Sequence, residues 1–342
     1  MSYPKPLSEK TLRKMYVTAG IDEKMSEFLH TFFLAAANLY GAVTMRDLWQ
    51  VYREQSRKED WPVVKKKDVL AFSEITRREP GQPYYVYEID ELYCEEPREA
   101  LDRFLIRKDV IWCRGSRALE PFWKMAELQM DKPFFMPDQY LSYANMKRTP
   151  EEEALLSFVG NLKVTAKTSM VYKREFECVH YGEYLKDFEG RLHDEQWMID
   201  YYGGKVKDGP KGNARMVAEL EEEYSGIFSE RLVKEYMWRA STGWTDMNMS
   251  LKALTDALDE IGVRLSRKQL EKLLELVMNA HNNSNLMCNR GWKPTELAAK
   301  SFVPGTIPQL SFGPGMQKAF ANGDLNKEEL VKRLKEMGIT VL

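Results

Sequence analysis

Along residues 22–40, Met25, Phe28, Leu29, Phe32, Phe33 and Ala36 recur at three- and four-residue steps, the spacing of one face of a helix. The pattern predicts a helix there, stopped by Gly41. Thr44 then caps a second, short helix through the amide of Asp47, with Met45, Leu48, Trp49 and Tyr52 on its apolar side. Trp61-Pro62 breaks the period, because the residue before a proline avoids helical backbone, and a third helix is predicted from about Lys65 to Arg78. After Pro80-Gly81-Gln82-Pro83, the stretch Tyr84 to Tyr93 is dense in aromatic and β-branched residues around an acidic turn, the composition of a β-hairpin. Three short helices and then a hairpin is the order of a winged helix-turn-helix, so residues 1–96 are expected to form a winged-helix-like module.

Pro97 is expected to start a helix running through Leu101, Phe104, Leu105 and Ile106, and Leu119 to Met130 carries a second apolar stripe, so 97–148 reads as connecting helices packed on the first module. Thr149-Pro150-Glu151-Glu152 joins a threonine cap, a proline at the first helical position and a returning glutamate, which opens a new helix. From 149 to 300 the period is helical apart from the glycine-rich loop at 201–212. Leu251, Leu254, Leu258 and Ile261 form one stripe, and Ser266 with Gln269 caps a following helix whose stripe is Leu270, Leu273, Leu274, Val277 and Met278. Such a short-loop antiparallel pair must cover its apolar faces with other helices, so a helical bundle is expected. Residues 301–342 read as a proline-punctuated extended tail and a terminal helix capped by Asn326. The expected fold class is mainly α with a small β-hairpin.

Composition narrows the function. The chain has 342 residues, 44% apolar, with 50 basic and 52 acidic groups and a net charge of −2. That balance excludes a protein that binds polyanions by bulk charge, though it leaves room for a local basic surface. No apolar run approaches the length of a membrane span, and residues 1–20 carry charges in place of an apolar signal core, so no membrane partner and a cytoplasmic location are expected. Cys94, Cys113, Cys178 and Cys288 are too scattered for a zinc knuckle or redox pair and read as reduced thiols.

Two clusters are candidates for chemistry. Residues 53–78 hold a local excess of basic groups, with Lys65, Lys66 and Lys67 at the start of the third helix and Arg77 and Arg78 at its end. If that helix meets a major groove, these five are the expected phosphate contacts. On a helical wheel Val69, Phe72 and Ile75 face inward, while Lys67, Ala71, Glu74 and Arg78 face outward, and Glu74 is the wrong charge for a phosphate. The second cluster is His180, Glu183, Asp187 and His193. A helix over 176–188 would bring the first three together as a nitrogen and oxygen set for a divalent metal, but the spacing matches no strong zinc pattern, and hydrogen-bonded structural histidines are the preferred reading. The loop at 203–212 lacks both glycine-rich phosphate signatures. No nucleophile elbow or calcium loop is present, so no catalytic residues and no cofactor are assigned.

The segment Asn282-Asn283-Ser284-Asn285-Leu286-Met287-Cys288-Asn289-Arg290-Gly291-Trp292-Lys293-Pro294-Thr295-Glu296-Leu297 resembles the Asn-Asn, Gly-His or Gly-Trp, x-Pro-x-Glu-Leu stretch of uncharacterised bacterial proteins, often found just ahead of a SEC-C zinc knuckle. Leu39-Tyr40-Gly41 and the tyrosine-rich hairpin also look alike. The knuckle is missing here, so the resemblance implies no zinc and no activity. By its own chemistry the segment reads as structural, with asparagines ending a helix and Trp292 packing as an anchor.

The expected function is therefore a regulatory protein that binds double-stranded DNA through an N-terminal winged helix. The alternative is a non-enzymatic protein–protein interaction scaffold, its many aromatic and methionine side chains supplying the contact surface. A metal-dependent hydrolase built on His180, Glu183, Asp187 and His193 is the third class.

Overall fold

Helix α1 (Glu9–Ala19) begins where the Ser8 hydroxyl accepts from the Thr11 amide and ends at Gly20, whose φ of 70° closes the last turn. No helix was expected there, although Leu12, Met15, Tyr16 and Ala19 carry the right spacing between a serine and a glycine. Helix α2 (Glu23–Tyr40) follows the predicted stripe, and Phe28, Leu29, Phe32, Phe33 and Ala36 are all buried. Gly41 stops it with φ 68°; a Cβ there would lie 2.7 Å from Met125 Sδ and 2.8 Å from Met287 Sδ. Strand β1 (Ala42–Thr44) leads into α3 (Met45–Gln55), where the Asp47 amide donates to Thr44 Oγ1 at 3.1 Å as expected. Helix α4 (Lys66–Thr76) is capped by its own Asp68, whose carboxylate accepts the Lys65 amide at 2.8 Å. The computed structural model describes residues 3–93, 96, 98–111, 118–162, 230, 232–260 and 263–301, with the strand residues 185–186, 192–193, 309–310 and 340–341.

The β structure departs from the expected hairpin. Strand β2 (Tyr84–Tyr87) is followed by a short helix, α5 (Ile89–Tyr93), in which the Glu91 carboxylate takes the Glu88 amide. Its partner is β3 (Phe104–Arg107), within the segment where a helix from Pro97 was expected. The sheet is antiparallel with order β1–β3–β2, pairing Val43 with Leu105 and Val86 with Leu105. As the central strand, β3 is bonded along both edges, and Leu105 and Ile106 have no solvent exposure. A strand covered on both faces shows no polar alternation, so its apolar run is indistinguishable from a helix stripe in the sequence.

Helix α6 (Glu120–Gln129) falls on the predicted stripe. After it the chain returns over α2: the Tyr40 hydroxyl donates to the Phe135 carbonyl, and Asn38 donates to the carbonyls of Tyr143 and Ala144. Helix α7 (Pro150–Gly160) has the expected reciprocal cap between Thr149 and Glu152. Together with α8 (232–242), α9 (Met247–Glu260) and α10 (Arg267–Asn283), it surrounds an apolar cluster that includes Leu155, Tyr236, Leu258 and Leu273. On α10 the buried arc is Leu273, Leu276, Val277 and Ala280, while Leu270, Leu274 and Met278 of the expected stripe are exposed. Both arcs carry helical spacing, and contact with α7 selects one.

The chain divides into two compact units, 1–295 and 296–342. Helix α11 (Pro294–Ser301) crosses that division, and the second unit contains a parallel pair in which Gln309 opposes Thr340 and Leu310 opposes Val341. The loop read at 203–212 and the terminal helix capped by Asn326 lie outside the described residues. Among the described residues no helix is long and apolar enough to cross a membrane.

Candidate nucleic-acid interface

The turn between α3 and α4 gathers exposed cations. Lys65, Lys66 and Lys67 stand exposed at the start of α4, and Arg53, Arg57 and Lys58 stand exposed where α3 ends. None of these six has an ion-pair partner among the described residues. Of the carboxylates in the same stretch, Glu59 accepts from Trp61 Nε1 and from the Tyr140 amide, and Glu54 accepts from Gln50. Asp60 is exposed, and Asp68 is engaged in capping α4. The residue types allow contact with phosphates, and all six stand exposed around the α3–α4 turn and the first turn of α4.

The other end of α4 is built differently. Arg77 is only 6% exposed, and its guanidinium donates to Glu88 at 2.7 Å and to both oxygens of Glu91 at 2.9 and 3.0 Å. Arg78 pairs with Glu74, which also pairs with Arg103 at 2.9 Å, and Arg103 reaches Glu88 at 2.8 Å. Three arginines and three carboxylates thus close a neutral network tying α4 to the β2–β3 connection. The wheel's outward-facing Glu74 is part of it, joining Arg78 to Arg103. A guanidinium taken out of water needs such partners, so Arg77 does not face a phosphate, and Arg78 does so only in competition with Glu74. The five cations grouped in the sequence are therefore split: the lysines form the free surface, and the arginines belong to the internal framework. Arg53, Arg57 and Lys58 complete the surface; a charge count over 53–78 contains them, but only the turn geometry separates them from the paired arginines.

The tyrosines of the expected wing are also internal. Tyr84 is buried, its hydroxyl 3.1 Å from Thr76 Oγ1 and 3.3 Å from His30 Nδ1, while Tyr85 and Tyr87 pack at 4.8 and 4.9 Å against the Tyr3 ring. On the far side of α4, Tyr16 of α1 packs on Phe72 and donates to Glu79, and the Leu7 amide donates to the Arg78 carbonyl. His30 lies in this same polar cluster, 3.4 Å from Glu79, and burial pushes its pKa below the ordinary value although the Glu79 charge opposes that shift.

The asparagine-rich segment has a structural explanation. Asn285 donates to the Gly291 carbonyl, Trp292 Nε1 donates to the Pro133 carbonyl, and the Trp292 ring meets Phe135 at 4.8 Å. Gly291 has φ 82°, and a Cβ there would lie 3.3 Å from Leu39 Cδ2. Gln129 joins the two regions, donating to the Tyr40 carbonyl at 2.6 Å and the Met287 carbonyl at 2.7 Å. The Leu39-Tyr40-Gly41 stretch and the 286–292 turn, far apart in sequence, therefore meet.

His180, Glu183 and Asp187 lie outside the described residues. His193 pairs with Leu185 in a two-stranded ladder, so a helix over 176–188 does not continue through Leu185–Lys186. Among the described residues no group of three or more histidine, cysteine, aspartate or glutamate side chains is placed to hold a metal. Comparison of the chain with protein-family models, with curated proteins and with solved structures finds no match.

Proposed function

We propose that residues 23–107 form a winged-helix module that binds duplex DNA through the α3–α4 turn and the first turn of α4. One observation carries this reading: the order α2, β1, α3, α4, β2, β3, with the short α5 and a 3-10 turn between the last two strands, and sheet order β1–β3–β2, in which unpaired lysines occupy the exposed leading end of α4. In that arrangement Lys65, Lys66 and Lys67 contact phosphates flanking the major groove, Arg53, Arg57 and Lys58 extend the track across the turn, and the β2–β3 connection is the wing. The helices from α7 to α10, taken as a bundle, would dimerise the module or receive a signal. Binding through phosphates falls log-linearly with salt, by about 0.9 in slope per contact. The test is fluorescence anisotropy of a labelled random duplex across a salt series. The double variant Lys58→Ala/Lys66→Ala is expected to flatten the slope by about two contacts. Absence of binding at the lowest salt, or a slope untouched by the double variant, rejects the reading.

A second reading, a non-enzymatic interaction scaffold, is favoured by Leu270, Leu274 and Met278, which stand 39%, 37% and 48% exposed at four-residue steps on α10. Such a stripe suits a partner helix. Light scattering after gel filtration would detect self-association, and Leu274→Glu should abolish it; a monomer indifferent to that substitution counts against this reading.

A further inference from the structure

A cleft of about 440 Å³ opens beside the edge strand β1, between α6 and the 287–292 turn. Its size falls in the range of small-molecule sites, which combine apolar walls with a few convergent polar groups. Val43, Phe104, Trp123, Met130 and Phe134 supply the walls. Trp123 and Met130 are 40% and 69% exposed, large apolar surface left in water at the rim. Trp123 is held in place by its indole N–H, which donates to the Leu92 carbonyl at 3.2 Å.

The polar feature is Arg290. It sits on the turn with φ 48°, its guanidinium 4.3 Å from the centre of the Phe134 ring, and one Nη donates to the Lys132 carbonyl at 2.9 Å. Stacking and that single bond orient the planar group while leaving most of its five N–H donors unused. No carboxylate pairs with it among the described residues. Of the acidic groups lining the cleft, Asp47 is bonded to the Thr44 hydroxyl at the start of α3 and Glu127 is exposed on α6. A half-buried arginine with no carboxylate in contact, whose charge is met only at longer range by Asp47 and Asp131 and which faces apolar walls, is the complement of a carboxylate carried on an apolar body.

We infer that this cleft is a binding site for a small aromatic or aliphatic monocarboxylate, whose carboxylate pairs with Arg290 and whose apolar body lies against Trp123, Phe134 and Met130. The site is independent of the DNA reading, since none of the lysines of the α3–α4 turn lines it.

The probe is 3-phenylpropionate, with its neutral amide, 3-phenylpropionamide, as the isosteric control, titrated by ligand-observed NMR on the full chain. The acid is expected to bind with a Kd of roughly 0.1–5 mM, as ligand efficiency allows for so small a molecule. It should bind at least about tenfold more tightly than the amide, the margin of a charge-assisted bidentate contact. Arg290→Gln should bring the two affinities together. Because Arg290 also bonds the Lys132 carbonyl, Ala126→Phe serves as the second variant: it fills the cleft from α6 without touching Arg290, and should abolish binding of both ligands in a protein with unchanged circular dichroism. Equal affinity for acid and amide, binding that survives Ala126→Phe, or no binding of the acid up to roughly 20 mM overturns the assignment.

Discussion

Gln129 is the most exposed test of how the two halves of residues 1–295 are joined, because one buried amide group holds two backbone carbonyls separated by more than two hundred residues. Both acceptors are carbonyls, so only the NH₂ end of the side chain can satisfy them, and the residue is 5% exposed. Replacing it by leucine keeps the volume and removes both donors. The consequences differ at the two ends. The Met287 carbonyl keeps a second bond, from the Arg290 amide at 2.9 Å, so the loss there is that of an ordinary hydrogen bond, about 0.5–1.5 kcal/mol. The Tyr40 carbonyl, at the end of α2, has no other partner among the described residues, and leaving it buried and unpaired costs about 1–3 kcal/mol. Gln129→Leu should therefore destabilise by about 2–4 kcal/mol, which lowers Tm by roughly 3–6 °C in a unit of this size. Differential scanning calorimetry gives the shift, and hydrogen exchange locates it: protection should fall first at the amides of Arg290, Gly291 and Trp292, which close the 287–292 turn. Gln129→Glu, which sets an anion against the same oxygens, should cost at least as much. A Tm within about 1 °C of the parent, or unchanged exchange in the turn, would show that the bridge does not hold the two segments together.

Burial holds the pKa of both His30 and His281 below the ordinary histidine value. Between the folded and unfolded values the unfolded chain binds more protons, so stability is greatest at neutral pH and declines as pH falls through about 6.5, by up to about two protons' worth of slope. His281, whose Nδ1 is buried without a partner, should yield a shallower profile in urea titrations when changed to leucine; a slope equal to the parent's would contradict this account. The Cys288 thiol is buried and its pKa is pushed up to about 11 by that burial. It should resist iodoacetamide at pH 8 in the folded protein and label on denaturation, and site-resolved mass spectrometry showing native labelling at the denatured rate would refute this. Gly20 and Gly291 both have positive φ, but a Cβ at Gly20 meets nothing within 4 Å while one at Gly291 meets Leu39 and Phe135 at 3.3 Å. Each alanine substitution should cost about 1–2 kcal/mol for the backbone. The thermal shift should be larger for Gly291→Ala, and equal shifts would remove the role given to close packing there.

Short-range chemistry alone was enough to determine the helices that begin with a side-chain cap and keep one apolar face. Thr44 with Asp47, Thr149 with Glu152 and Ser266 with Gln269 are bonded as their spacing demands, and α2 stops at Gly41, whose positive φ of 68° favours glycine. Each of these depends on residues within one helical turn, so the local sequence contains all the interacting groups. The rest required partners from elsewhere in the chain. Whether Phe104–Arg107 is helix or strand depends on β1 and β2 arriving on either side, and which arc of α10 is buried depends on α7. The candidate interface divides in the same way. Lys65, Lys66 and Lys67 and the buried pair Phe72 and Ile75 were legible from the period of α4, whereas the fate of Arg77 was not. A charge's availability is set by the counter-ion that reaches it, and Glu88 and Glu91 reach Arg77 only because the chain after β2 folds back over the end of α4.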